Sequence, residues 1–293
     1  DYVLNRLIEI LNSNQDFFSL FHLAFFNHLF LIEVDSGKSI SDYTRISMEF
    51  SSQENCIQPL VLIRQKSNSA LPLILKYSVT ETDEVVFFHS RENTFLESGA
   101  SANFTLVENF SNSVFHIRKM EVNQDRDSFS RIRFFNMGGY RGKTWIHSHL
   151  SGKGSRTELS GAACLSKREL QDLEFIVSHD ASHTESNLLF RTVLRDKSHH
   201  IFTGTLEIPK TSSHVSANQL NNNLMLQKTA RAESMPKLEV FADDVKCSHG
   251  ATMGEVSQDE LFYLMTRGLT EQDARHLIVE GFLSEILDSI QDE

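Results

Sequence analysis

The chain has 293 residues, 40% of them hydrophobic and 23% charged, a composition that excludes intrinsic disorder. Its 28 Lys and Arg against 39 Asp and Glu leave a formal net charge of −11. That sign argues against a nucleic acid or an anionic membrane as the main partner, and leaves room for no more than a local basic patch. The 3 cysteines, Cys56, Cys164 and Cys247, are odd in number and far apart, which argues against a disulfide framework and for a reducing, cytoplasmic setting. Residues Asp1 to Asp16 carry no basic cluster, so no signal peptide is expected. The apolar stretch Phe17 to Val34 is interrupted by His22, Asn27 and His28 and is too polar for a membrane span.

Leu4, Leu7, Ile8 and Leu11 repeat at helical spacing, and Asn12-Ser13-Asn14 breaks the pattern. Asp16 is placed to cap a second helix with an expected inner face of Phe17, Leu20, Phe21, Ala24 and Phe25. From about Leu29 to Gly254 the texture changes to short β-rich runs separated by Ser, Asn, Asp, Gly and His. These runs are 60–64, 73–78, 84–89, 104–108, 131–136, 144–149, 174–179, 188–194, 200–208, 223–227 and 237–242, with one ambiguous helical stretch at 167–173. Strands without crossover helices exclude a doubly wound α/β fold and leave a sandwich, barrel, propeller or β-solenoid. The cluster Asn218, Asn221, Asn222 and Asn223 favours a solenoid weakly, because Asn suits solenoid corners. After Gly254 helices return. Ser257-Gln258-Asp259-Glu260 is a capping box, Gly268 is placed to end that helix in a left-handed conformation, and Thr270 starts another.

Chemistry-bearing motifs are few. Gly138 to Thr144 imitates a phosphate loop, but one residue is missing from its spacing and a strand, not a helix, follows; a tight turn is the better reading, and no ATP site is expected. His147 and His149 share a strand face and are read as structural, and His199-His200 as a wet corner. His179 and His183 lack the Glu of a zinc-protease helix. Cys247-Ser248-His249 differs: thiol and imidazole two apart on an extended segment face one way and suit iron or zinc. They supply two ligands, so a partner subunit would have to complete the site.

The stretch Pro236 to Gly254, with Asp243-Asp244-Val245-Lys246-Cys247-Ser248-His249-Gly250 at its centre, resembles the C-terminal signature of the SufD branch of the SufB/SufD family of iron–sulfur cluster scaffolds. Leu261 to Gly268, Gln171-Asp172, Val177-Ser178-His179, Phe202-Thr203-Gly204 and Ala217 to Leu226 also resemble it, while the match is faint before Ser98 and the N-terminus is short for the family. The resemblance implies a mainly β chain with a right-handed parallel β-helix core at 34–254, an N-terminal helical region at 1–33 and a C-terminal helical domain at 255–293. It implies a non-catalytic scaffold that pairs with SufB through the β-helix and docks the ATPase SufC through Leu261, Phe262, Tyr263, Arg267 and Gly268. It further implies that His249, as metal ligand, and Cys247 hold a transient iron–sulfur cluster at the SufB interface. A SufB-like homodimeric scaffold and a β-helix enzyme acting on polysaccharide are the alternatives, and a homodimer of the isolated chain is compatible with either scaffold reading.

Overall fold

The computed structural model describes residues 5, 7, 8, 16–51, 55–79 and 84–291. Among these residues seventeen strands pass back and forth between two sheets, and every pairing is parallel. The nine-strand sheet contains β1 (His28–Val34), β3 (Cys56–Ile57), β4 (Pro59–Gln65), β6 (Val86–Leu96), β8 (Val114–Gln124), β10 (Arg141–Leu150), β12 (Leu170–Ser178), β14 (His199–Ile208) and β16 (Arg231–Val240). The eight-strand sheet contains β2 (Thr44–Phe50), β5 (Ala70–Val79), β7 (Ser101–Phe110), β9 (Phe129–Gly138), β11 (Arg156–Leu165), β13 (Glu185–Leu194), β15 (Val215–Met225) and β17 (Val245–Glu255). Each coil contributes one strand to each sheet, so the chain is a parallel β-solenoid of about eight coils stacked roughly 4.8 Å apart.

One corner explains the coil period. Gly37, Asn68, Gly99, Asp127, Gly154, His183 and His214 all have positive φ, one in each passage from the nine-strand to the eight-strand sheet except the last, between β16 and β17. Six of these N–H groups, all but that of Gly154, donate to the next coil, as in Asn68 to the Ser98 carbonyl at 3.0 Å, Gly99 to Arg126 at 2.9 Å and His214 to Asp244 at 2.8 Å. Left-handed backbone is open to Gly and tolerated by Asn, Asp and His, so residue type varies while geometry repeats. The Asn cluster expected at a corner lies instead on β15: Asn221 Nδ2 donates to the Phe190 carbonyl at 3.2 Å and Asn223 Nδ2 to the Thr252 carbonyl at 3.3 Å, tying neighbouring coils together.

Alternate residues of each strand point into one continuous interior containing Phe88, Phe104, Phe134, Phe175, Phe190 and Phe202, all buried. Phe175 lies 5.6 Å from Phe190 and 5.9 Å from Phe202, and each such ring contributes about 1.5–3 kcal/mol of burial. Between β5 and β9 the interior turns ionic. Arg118 donates to Glu108 at 2.8 Å and Glu92 at 3.0 Å, and Tyr77 donates to Glu92 at 2.8 Å. Burial holds Glu92 above the ordinary carboxylate range, whereas Arg118 and His116 overcome burial and hold Glu108 below it.

Helix α1 (Phe17–Phe25) is capped by Asp16, whose carboxylate accepts the Ser19 N–H at 2.9 Å. Its inner face is not the expected aromatic one. Ser19 and His22 are buried and Leu23 and Phe26 pack over Leu60 and Leu62, while Phe17 and Phe25 are 71% and 59% exposed. The His22 ring bonds the Pro59 carbonyl at 3.1 Å, and Lys119 pairs with Asp16 at 3.0 Å; these polar anchors set the helix's rotation. The solenoid begins at His28, directly after this helix. Leu7 and Ile8 are helical, while Leu4, Leu11 and the Asn12–Asn14 break lie outside the described residues.

Lys167 to Leu173 is no helix. Lys167 has φ +53° in a turn and Leu170 opens β12. The expected run 223–227 is the end of β15, with Leu226 and Gln227 beyond it. His200 is 1% exposed and packs against Phe190 and Phe202, so it is a core residue, whereas its neighbour His199 faces outward to Glu233 at 2.8 Å. The Gly138-Gly139 turn between β9 and β10 is as expected, with φ of +95° and +88°.

Candidate functional site

The last coil carries the site. Among the described residues β17 pairs only with β15 and β16 only with β14, so both stand at the sheet ends with one backbone edge unpaired. The register sets Cys247 beside Ala217 and His249 beside Gln219. Ala217 and Gln219 are buried inward-facing residues, so Cys247 and His249 continue the interior face of the solenoid onto its open end. No further coil covers them among the described residues. Cys247 is half-buried against the core, and burial pushes its thiol above the ordinary value. His249 is exposed. Gln219 donates to the Gly204 carbonyl at 3.2 Å, and its Oε1 is buried without a hydrogen bond.

The alternate residues of β17 fasten it to the previous coil. Ser248 donates to Asn218 at 2.7 Å, Asn218 to Asn187 at 2.9 Å, and Thr252 to Asn222 at 2.9 Å. Upstream, His214 pairs with Asp244 at 3.2 Å, which ties the turn before β17 to the coil below; Asp243 is exposed. Leu238 and Met253, 38% and 52% exposed, belong to the same end face, and Phe241 between the strands is 69% exposed. The terminal coil is thus an apolar end with one thiol and one imidazole on it.

Thiolate and imidazole are both iron donors, yet two donors do not close a site. Among the described residues no group of three or more His, Cys, Asp or Glu is placed to hold a metal ion. His147 and His149 do share a face, with ring centroids 3.6 Å apart, and His147 meets the Ser178 hydroxyl at 2.7 Å. Buried His179 sits between Thr184 and Ser186 at 2.8 and 2.9 Å. The 3 cysteines are free thiols.

The chain then folds back. Helix α2 (Gln258–Thr266) starts at Ser257, which accepts the Glu260 N–H at 3.3 Å, and Gly268 ends it at φ +96°. Thr270 accepts the Asp273 N–H at 3.2 Å and opens helix α3 (Glu271–Gln291). Leu283 and Ile286 of α3 bury themselves on Ala162 and Val193, on the outside of the eight-strand sheet. Arg191 locks this contact by bonding the Phe282 carbonyl and Glu285. Of the five expected docking residues, Leu261 is 4% exposed and turned into the fold, whereas Phe262 and Tyr263 are 69% and 57% exposed. Arg267 lies over the Tyr263 ring at 5.2 Å, and Gly268 shapes the turn. A cleft of about 490 Å³ runs between the helices, lined by Glu260, Tyr263, Leu264, Leu277 and Ile278.

The family model described as "SUF system FeS cluster assembly, SufBD core domain" matches residues 48–282. The chain belongs to the SufBD family. It is 29% identical over 241 residues to an iron–sulfur cluster assembly SufBD family protein of Synechocystis, covering 80% of this chain and 53% of that protein. It is 32% identical over 170 residues to SufD of Escherichia coli, covering 58% of this chain and 40% of that protein. With SufD of Plasmodium falciparum it shares 25% identity over 256 residues, 86% of this chain and 17% of the other. The chain thus spans about half or less of the length of these relatives.

What the residues alone missed was the topology that makes the Cys247–His249 pair terminal. The signal existed: one left-handed residue at the same corner of successive coils, 27 to 31 positions apart in the sequence, counts the coils as far as His214 before β15. It was hidden because the repeated position is filled by four residue types.

Proposed function

We propose that this chain is a SufD-like scaffold subunit for iron–sulfur cluster assembly, with no catalytic chemistry of its own. The nascent cluster is its cargo. His249 supplies an imidazole and Cys247 a neighbouring thiol from the open end of the solenoid, and a SufB solenoid stacked on β16 and β17 supplies the remaining ligands. The observation that carries this reading is the position of the pair on the uncovered end face, next to unpaired strand edges that seek pairing. An imidazole nitrogen is a weaker iron donor than a thiolate, so a site completed by His249 would release its cluster more readily.

SufC is the proposed occupant of the C-terminal helices, through Phe262, Tyr263 and Arg267, with Leu261 and Gly268 shaping the hairpin behind them. The reducing cytoplasm is the matching setting, since all 3 cysteines are free thiols. No helix of the described residues is long and apolar enough to cross a membrane. The domain scheme that follows is a solenoid body flanked by an N-terminal helical region and a C-terminal docking hairpin.

The unpaired edges favour one second reading, a SufB-like homodimer joined end to end through the same face. Native mass spectrometry of the chain alone and co-expressed with SufB and SufC separates the two. A complex containing all three subunits is expected. A stable homodimer that excludes SufB, with no SufC bound, would overturn the heteromeric reading.

A further inference from the structure

The acidic chain carries a strongly basic groove. At the corner where the chain passes from the eight-strand to the nine-strand sheet, successive coils present Arg168 before β12, Lys197 before β14 and Lys228 before β16. A second row runs up the outer face of the adjoining strands, in the register Arg141, Leu170, His199, Arg231. Together with Thr229 these side chains line a groove of about 540 Å³. Its five Arg and Lys side chains are all exposed, and among the described residues none has a carboxylate partner. Arg141 only stacks on the Tyr140 ring at 5.4 Å. The acids nearby are engaged elsewhere: Glu233 with His199 at 2.8 Å, Asp196 with the Lys167 N–H at 2.8 Å, and Glu169 with the Ser166 N–H at 2.7 Å.

A chain with 39 acids and 28 bases can neutralise a surface cation easily, and here it leaves five without a partner in one concave place. Coil spacing puts Arg168, Lys197 and Lys228 only about 5 to 10 Å apart and Arg141 and Arg231 about 14 Å apart at the two ends of the second row, so the like charges repel until an anion enters. The size of that anion follows from the rest of the molecule. At a net charge of −11, an extended polyanion such as a nucleic acid would meet repulsion beyond the groove, whereas a compact one keeps its charge within about one Debye length, ~8 Å, of the cations. Arg forks grip phosphate oxygens in pairs and Lys acts as a mobile point charge. The Leu170 side chain adds a small apolar wall. We infer that this groove is a binding site for a compact oligophosphate, free or as the phosphate tail of a nucleotide. Cluster assembly at the open end does not require it, so the two readings stand or fall separately.

Titration calorimetry of the whole chain at about 0.15 M salt tests this, with tripolyphosphate, ATP, adenosine and a short single-stranded oligonucleotide as probes. Saturable binding of one tripolyphosphate per chain is expected, with none of adenosine. Tighter binding of ATP than of tripolyphosphate would identify a nucleotide as the source of the phosphates, and equal or weaker binding the free oligophosphate; both support the site. Lys197→Glu and Lys228→Glu, each an exposed side chain whose loss leaves the coil intact, should weaken binding about tenfold apiece. Lys153→Glu, at another corner, should leave it unchanged. Absence of tripolyphosphate binding, insensitivity to the two groove reversals, or an oligonucleotide that outcompetes tripolyphosphate would each overturn the assignment.

Discussion

Arg118→Met tests how the solenoid tolerates charge in its interior. Arg118, Glu92 and Glu108 have fully buried side chains, and the guanidinium meets the two carboxylates at 3.0 and 2.8 Å while lying 4.7 Å from the Tyr77 ring. Methionine fills similar volume but removes the cation that serves both acids. His116, 3.6 Å from Glu108, is the remaining basic group, and burial lowers its affinity for a proton. Breaking a buried ion pair from one side costs about 3–5 kcal/mol, because the desolvated partner is left behind. At about 2–4 °C per kcal/mol for a chain of this size, the melting temperature should fall by roughly 10 °C at pH 7.5. The deficit should shrink on acidification, since protonating the stranded carboxyls removes their charge. The triple variant Arg118→Met, Glu92→Gln, Glu108→Gln should recover most of the loss, as replacing a whole buried ion cluster is often neutral. Circular-dichroism melts and urea titrations read both quantities. A single variant within about 1 kcal/mol of the parent, or a triple variant no better than the single, would refute the argument.

Three further outcomes are expected. Burial lowers His22, His179 and His200 to about 4 and His89 and His147 to about 3, so each is neutral when folded and takes up a proton on unfolding below its ordinary value of 6.5. Their stabilising contribution is therefore complete above pH 6.5 and lost as pH falls towards 4, by up to several kcal/mol per pH unit if all five act; urea midpoints that stay flat from pH 7 to pH 4.5 would contradict this. Gly138→Ala places a Cβ 2.2 Å from the Phe110 carbonyl oxygen at φ +95°, and should cost about 2 kcal/mol or more in the same assay. Phe262→Ala with Tyr263→Ala should abolish SufC co-purification with little change in melting temperature, because both side chains are more than half exposed; retained SufC would remove the docking assignment.

Much of the fold was legible where strands carry β-rich runs with inward apolar residues, most clearly in β5, whose inward positions are Leu71, Leu73, Leu75, Tyr77 and Val79. Strand β8 escaped because its inward positions include His116 and Arg118, so the interior ion cluster erased the hydrophobic signature of the strand that carries it. β11 escaped for the opposite reason: Ser160, Gly161, Ala162 and Ala163 are too small to register as a core run, yet the small, outward-facing Ala162 lets α3 pack against the sheet. The rotation of α1 was misjudged because aromatic residues mark its exposed side and the polar Ser19 and His22 its buried one. The capping residues Asp16, Ser257 and Thr270 and the left-handed Gly268 were readable directly, since each satisfies a local geometric demand. The basic groove was invisible in sequence because its cations come from four coils and meet only through the solenoid's repeat.

The decisive measurement concerns the imidazole at the open end. The parent chain and its His249→Ala variant would each be co-expressed with SufB and SufC, purified without oxygen, and assayed for iron and acid-labile sulfide per complex. A variant complex of unchanged subunit composition with most of its iron and sulfide lost is the expected result. Full cluster content in that intact complex would contradict the assignment of His249 as a ligand.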